Sequence, residues 1–332
     1  MMPHAATRRN FLAASAALGA GLLVPHWVRG TDADRKRALI AITLDLEMSA
    51  NFPRWEDTHW NFEKGNIDDD SKHYAVEAAR RVKARGGVVH CFLVARVLEQ
   101  ENVDWLHGII QDGHSVGNHT YDHVNLKAAK PADIQARFRR APWLIEGRQP
   151  AEIIRENIQL ASAAMKSRLG IEPCGFRTPG GYANGLIDRA DVQQMLLELG
   201  FKWVSSKYPS HLNNKPGEET TPEIFANIVQ AQAAAQPFVY PSGLIEVPMS
   251  PISDIGAFRN GRWKLDQFLQ STRLSLEWAI EHRQVFDFLC HPSCIGVVDP
   301  EFRTIDMICD VVQKAGDNAR FADLEIIARG VR

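Results

Sequence analysis

The chain has 332 residues, 45% of them hydrophobic and 23% charged, with a formal net charge of −2. That composition is globular, with room for one large α/β domain or two smaller ones, and the near-neutral balance gives no basis for a nucleic-acid partner or an anionic membrane surface. Five cysteines (Cys91, Cys174, Cys290, Cys294 and Cys309) are odd in number and lack CxxC spacing, so they read as small buried hydrophobes, not as a disulfide framework or a zinc knuckle.

Residues 1–30 read as a targeting segment. Arg8-Arg9-Asn10-Phe11-Leu12 precedes an uncharged run, 13–24, rich in Ala, Gly and Leu and too short and small-sided for a stable membrane span. The arginine pair looks like a twin-arginine (Tat) signal, with cleavage after Gly30; an ordinary Sec signal or an uncleaved anchor is the alternative. The expectation is a Tat-type signal peptide over 1–30 that engages the Tat export machinery. The mature protein is then exported, periplasmic or otherwise extracytoplasmic, with no stable membrane span after processing and one domain over 31–332.

The run 38–46 is almost continuously apolar and carries Asp45 and Glu47 at its end, as expected of a strand buried on both faces. The stretch 49–70 is a long loop holding Trp55, Trp60 and Phe62, and loops of that length are usually functional. A helix over 72–84 is broken by Gly86-Gly87; a strand over 88–94, a helix over 102–111 and a strand over 114–118 follow. His119 and His123 come next. Their spacing of four puts two imidazoles on one face of a helical turn, half of a metal site, or two unrelated surface histidines. Residues 131–170 read as mostly helical, broken near Pro142 and Pro150. A strand over 174–177 runs into the turn Thr178-Pro179-Gly180-Gly181. Then come a helix (190–200), a strand (201–205), a helix (221–234), a strand (244–248), a helix (264–282) and a strand (285–290) ending at His291, with two helices closing the chain. Unbroken alternation without a linker predicts a single parallel (β/α) barrel, closed or incomplete. The strands of such a barrel end at one mouth, so Asp45 and Glu47, His119 and His123, Arg177 and His291 converge.

Those segments resemble the polysaccharide deacetylase (NodB-homology) family, carbohydrate esterase family four. Thr43-Leu44-Asp45-Leu46-Glu47 stands where the family has Thr-Phe-Asp-Asp. His119-Thr120-Tyr121-Asp122-His123 matches its His-Ser/Thr-x-x-His motif. Arg177-Thr178-Pro179-Gly180-Gly181 is similar to Arg-x-Pro-Tyr-Gly, and Leu289-Cys290-His291 to Leu-x-His. The resemblance implies an α/β fold of the distorted (β/α)7 barrel type and metal-assisted removal of N- or O-acetyl groups from sugars. It implies one divalent metal ion, with zinc the first choice, held by His119, His123 and a carboxylate. Asp45 would be the general base, Arg177 its partner, His291 the general acid and a backbone N–H of the Pro179-Gly180 turn the oxyanion donor. Trp55, Trp60 and Phe62 would stack on sugar rings, or pack the loop onto the barrel.

The chain departs from the family at Leu46, where most members have a ligating Asp, and at Gly180, which replaces Tyr. The family's Asp-x-x-x-Trp acid is not evident near Trp203, and Asp254 stands as a candidate partner for His291. The pattern is closer to the branch that includes peptidoglycan deacetylase-like and allantoinase-like amidases. Along a strand, side chains at i and i+2 share a face. Glu47 is therefore expected to be the third metal ligand and Asp45 the base; the rival arrangement puts Asp45 on the metal. The expected function is an exported metal-dependent deacetylase of an N-acetylated glycan (peptidoglycan, a chitin oligomer or an exopolysaccharide). The alternatives are an amidase on a small non-sugar C–N substrate and a non-catalytic glycan-binding relative. His90 and His114 read as structural.

Overall fold

The computed structural model describes residues 37–48 and 64–331. The expected signal peptide and the aromatics Trp55, Trp60 and Phe62 lie outside the described residues.

Among the described residues, nine strands form one sheet. Seven run parallel in the order β7 (Ile245–Glu246), β5 (Trp203–Lys207), β4 (Gly175–Tyr182), β3 (Ser115–Asn118), β2 (Val89–Leu93), β1 (Ala38–Leu46) and β8 (Val285–Cys290). β6 (Phe238–Val239) lies antiparallel to β7, and β9 (Ala319–Phe321) pairs with the start of β1. β1 is flanked by strands on both edges and its residues are almost all buried, which explains why Ala-Leu-Ile-Ala-Ile-Thr-Leu is apolar without alternation. The helices that cover the sheet present their apolar stripes to it. In α1 (Asp69–Ala84), Tyr74, Ala75, Ala78, Ala79 and Val82 are buried, and Asp68 caps the N-terminus by accepting from the Ser71 amide. α7 (Leu265–Glu281) and α9 (Arg303–Ala315) pack against each other and, with α1, cover the β1 and β8 side of the sheet.

The barrel is not closed by strand pairing between β7 and β8. Side chains bridge the gap instead. Gln232 and Gln236 donate to the Val285 carbonyl, each at 3.1 Å, and the Val285 amide donates to Gln236 Oε1 at 2.9 Å. Ser250 supplies both partners of Asp287: its amide donates to the Asp287 carbonyl at 3.1 Å, and its hydroxyl accepts from the Asp287 amide at 3.1 Å.

Three details differ from the sequence expectation. The region 131–149 holds one short helix, α3 (Ala136–Arg140), between single tight turns, before α4 (Pro150–Leu169) begins at Pro150. The C-terminus has α8 (Pro292–Val298), α9 and α10 (Leu324–Gly330), three helices where two were expected. β6 and β9 are strands of two and three residues, too short to leave a period in the sequence. Among the described residues, no helix is long and apolar enough to cross a membrane.

Candidate active site

Asp45 lies one residue before the end of β1, and Glu47 one residue after it. Both are buried, at 4% and 6% exposure, while Leu46 between them packs into the core on the other face. Strand alternation thus delivers two carboxylates to one side. Glu47 Oε1 lies 3.2 Å from His119 Nε2, 2.9 Å from His123 Nε2 and 3.6 Å from His291 Nε2. Asp45 Oδ2 lies 3.8 Å from both His119 Nε2 and His291 Nε2. The ligand atoms of Glu47, His119 and His123 converge closely enough to share one ion, as do those of Asp45, Glu47 and His291.

The histidine pair meets without the expected helix. After β3 the chain runs through an irregular loop in which Thr120 (φ 63°) and His123 (φ 60°) adopt the left-handed conformation. Each such L-residue costs about 1–2 kcal/mol, so the loop must be held from outside. Asn118 Oδ1 accepts from the Thr120 amide at 2.8 Å, and Asn157 Oδ1 from the amides of Tyr121 (2.9 Å) and Asp122 (2.8 Å). Asp122 in turn pairs with Arg137 and accepts from Asn157 Nδ2 at 2.9 Å. The two imidazoles end with ring centroids 5.1 Å apart.

Arg177, on β4, is fully buried and joins three strands. Its Nη1 donates to Asp45 Oδ1 at 3.0 Å and to Thr43 Oγ1 at 2.7 Å; its Nη2 donates to Asp287 Oδ2 at 2.5 Å and to Ser205 Oγ at 3.2 Å. Its guanidinium also lies over the Phe92 ring, 4.3 Å from the centroid. The expected Arg177–Asp45 pair is present, but Asp287 was not singled out from sequence. A lone acid in the apolar strand Val-Phe-Asp-Phe-Leu-Cys was the available signal. Burial pushes the Asp287 carboxyl up to about 6 against the pull of Arg177. Burial pushes Asp45 up as well, but Arg177, His119 and His291 more than offset it and hold the group below the usual carboxylate range.

His291 follows β8. Its Nδ1 lies 2.9 Å from Asp254 Oδ1, and its amide donates to Asp254 Oδ2 at 2.7 Å. The candidate acid thus grips both ring and backbone from the start of a π-helical turn, Ile255–Asn260. Gly180, φ 76°, lies at the exposed end of the Arg177 strand, where β4 breaks register with β5. It lines, with Asp45, Glu47, His123, Tyr208 and His291, a cavity of about 250 Å³. Met249, Ile255 and Leu289 give that cavity an apolar wall. His90 and His114 lie away from it, lining the opposite end of the barrel near Trp203 and Cys174. A second residue not foreseen is Lys64, buried in the same cavity with its ammonium on Glu47 Oε2.

Burial drives the His119 imidazole down to about 4 and His123 well below its ordinary value. Both are neutral near pH 7. His119 Nδ1 faces the Arg177 carbonyl at 3.0 Å, an acceptor, so its proton is there and Nε2 carries a lone pair. That lone pair points at a carboxylate oxygen.

The polysaccharide deacetylase family model matches residues 64–202, a segment that contains His119, His123 and Arg177. No curated protein matches the chain. Among solved structures the chain is similar to a Mycobacterium smegmatis protein classed as a polysaccharide deacetylase (15% identity, TM-score 0.60, covering 91% of this chain and 92% of the other). It is also similar to a Pseudomonas aeruginosa PAO1 protein classed likewise (15%, 0.57, 89% and 91%) and to Puue allantoinase (14%, 0.57, 89% and 90%). These likenesses carry the fold, the distorted (β/α)7 barrel of NodB-type proteins. The matched segment, the shared fold and the four motifs in order around one mouth are what the chain has in common with the polysaccharide deacetylase family.

Proposed function

We propose that this protein is a member of the polysaccharide deacetylase family, a metal-dependent hydrolase that removes acetyl groups from an N-acetylated glycan. One observation carries the metal: His119 Nε2 and His123 Nε2 converge on Glu47 Oε1 at 3.2 and 2.9 Å, while His119 Nδ1 is turned to the Arg177 carbonyl at 3.0 Å. Acceptor nitrogens that close to Oε1 repel it unless a cation joins them, and neutral imidazoles with a carboxylate are the donor set that zinc takes. His119, His123 and Glu47 would hold the ion. When bound, a divalent ion of this kind acidifies water and polarises a carbonyl.

The remaining chemistry belongs to the chain. Asp45 has one oxygen fixed by Arg177, leaving Oδ2 to take the proton of the attacking water. Its lowered pKa keeps it ionised across the neutral range. His291 would give its Nε2 proton to the leaving nitrogen, with Asp254 holding Nδ1–H and stabilising the imidazolium before transfer. The Gly180 amide, at the cavity rim, is the proposed oxyanion donor. A second reading, an amidase on a small non-sugar C–N substrate, is favoured by the apolar wall that Met249, Ile255 and Leu289 give the cavity of about 250 Å³. Metal analysis of the purified protein, with an acetate-release screen over N-acetylglucosamine oligomers, peptidoglycan fragments and small cyclic amides, separates the readings. Metal-free protein with full activity would sink the mechanism, and turnover confined to the small amides would select the second reading.

Export is part of the proposal, resting on the Arg8-Arg9 pair ahead of an apolar run. Arg8→Lys with Arg9→Lys should leave the precursor in the cytoplasm; normal export of that variant excludes the Tat route.

A further inference from the structure

A lysine buried to 2% exposure is expensive to place, and Lys64 is placed inside the catalytic cavity. The backbone around it shows that the position is enforced. The Gly65 amide donates to the Glu47 carbonyl at 2.6 Å. Gly65 itself sits at φ 89°, where a Cβ would lie 2.3 Å from Arg96 Cβ, so only glycine makes this turn. The Lys64-Gly65 turn therefore clasps Glu47 twice, through its backbone carbonyl and through its carboxylate.

The two oxygens of that carboxylate do different things. Oε1 faces the imidazole nitrogens of His119 and His123; Oε2 meets the Lys64 ammonium. Asp45 shows the same division, with Oδ1 on Arg177 and Oδ2 toward His119 and His291. In each case a fixed cation holds one oxygen and leaves the other to the centre of the site. A carboxylate free of such a partner can turn and offer both oxygens to one ion, filling positions that water and substrate need.

We infer that Lys64 is a positioning residue that reserves Glu47 Oε2 and so makes Glu47 a ligand through Oε1 alone. The inference rests on the metal reading above. Its test uses cobalt(II) as a spectroscopic stand-in for zinc in the purified full-length chain, comparing wild type, Lys64→Met, Lys64→Gln and His119→Ala. Cobalt affinity is read by competition with a chromophoric chelator, and coordination by the visible d–d bands, which weaken as ligand number rises. Lys64→Met should change cobalt affinity roughly 10–100-fold and weaken the bands, as Glu47 Oε2 turns onto the ion. Lys64→Gln keeps an N–H donor for Oε2 and should retain the wild-type band intensity. Affinity within twofold of wild type and unchanged bands in Lys64→Met overturn the role, as does a Lys64→Gln spectrum that departs as far as that of Lys64→Met. Wild-type protein that takes up no cobalt, or whose cobalt is indifferent to His119→Ala, overturns the metal reading itself and is distinct from either result.

Discussion

Arg177→Met removes the charge and all five donors of a side chain that the fold has buried completely, while keeping its unbranched stem. Two carboxylates, Asp45 and Asp287, then lose their guanidinium at positions almost closed to solvent, at 4% and 1% exposure. Breaking a buried pair by removing one partner costs about 3–5 kcal/mol, because the other charge stays buried. Asp287 already stands at about 6 through burial opposed by Arg177; losing Arg177 pushes it further up and lifts Asp45 from its lowered value. A carboxyl whose folded pKa lies above its unfolded one binds more protons when folded, so stability falls as pH rises through that window. The deficit of Arg177→Met is therefore larger at pH 8 than at pH 5. Urea unfolding of the metal-free protein at both values measures it, with Arg177→Met/Asp287→Asn as the control that should recover part of the loss. A cost below about 1 kcal/mol, the range of exposed ion pairs, would refute the account, as would equal deficits at the two pH values.

Glu47→Ala should lose metal, while Asp45→Asn keeps it and is inactive; atomic absorption on both variants distinguishes this from the reverse assignment. His291→Ala should retain metal and lose roughly 10²–10⁴-fold in turnover on an amide substrate, and Asp254→Ala should follow it in direction because it strips Nδ1 of its acceptor. Unchanged turnover in His291→Ala would make that residue structural. His90, buried and stacked on Phe92, is driven down to about 4 by desolvation. Its contribution is present above its unfolded pKa of 6.5 and is lost as pH falls from there to about 4, on the order of 3 kcal/mol. His90→Phe should flatten that part of the acid limb in chemical denaturation, and an unaltered limb would remove His90 from the account.

β1 and β8 were legible because strands buried on both faces are continuous apolar runs, and a polar residue ending such a run stands out. Asp45, Glu47, Arg177 and His291 were found that way, and the i, i+2 rule put Glu47 beside Asp45. The histidine pair was found for an incomplete reason. The rings do meet, but through two left-handed residues braced by Asn118 and Asn157, and no spacing rule encodes such a loop. Lys64 follows a long loop and has no periodicity to betray it; only the fold brings it to Glu47. Asp254 was reachable only as the acid after a short strand, since its hold on His291 crosses the gap in the barrel.

That gap has a kinetic meaning. β1 carries Asp45 and is hydrogen-bonded to neighbours on both edges, whereas β8, which carries Asp287 and leads to His291, has a ladder on one edge alone. On its other edge Gln232, Gln236, Ser250 and Asp254 stand in for a strand. A seam of side chains can part locally, but a ladder inside a sheet parts only with the domain. Amide deuterium uptake should therefore begin at Val285, Asp287 and His291 long before it reaches residues 40–45. The proposed base is then mounted on the wall held by ladders on both edges and the proposed acid on the wall held by a ladder on one, so local opening at His291 should leave Asp45 in place.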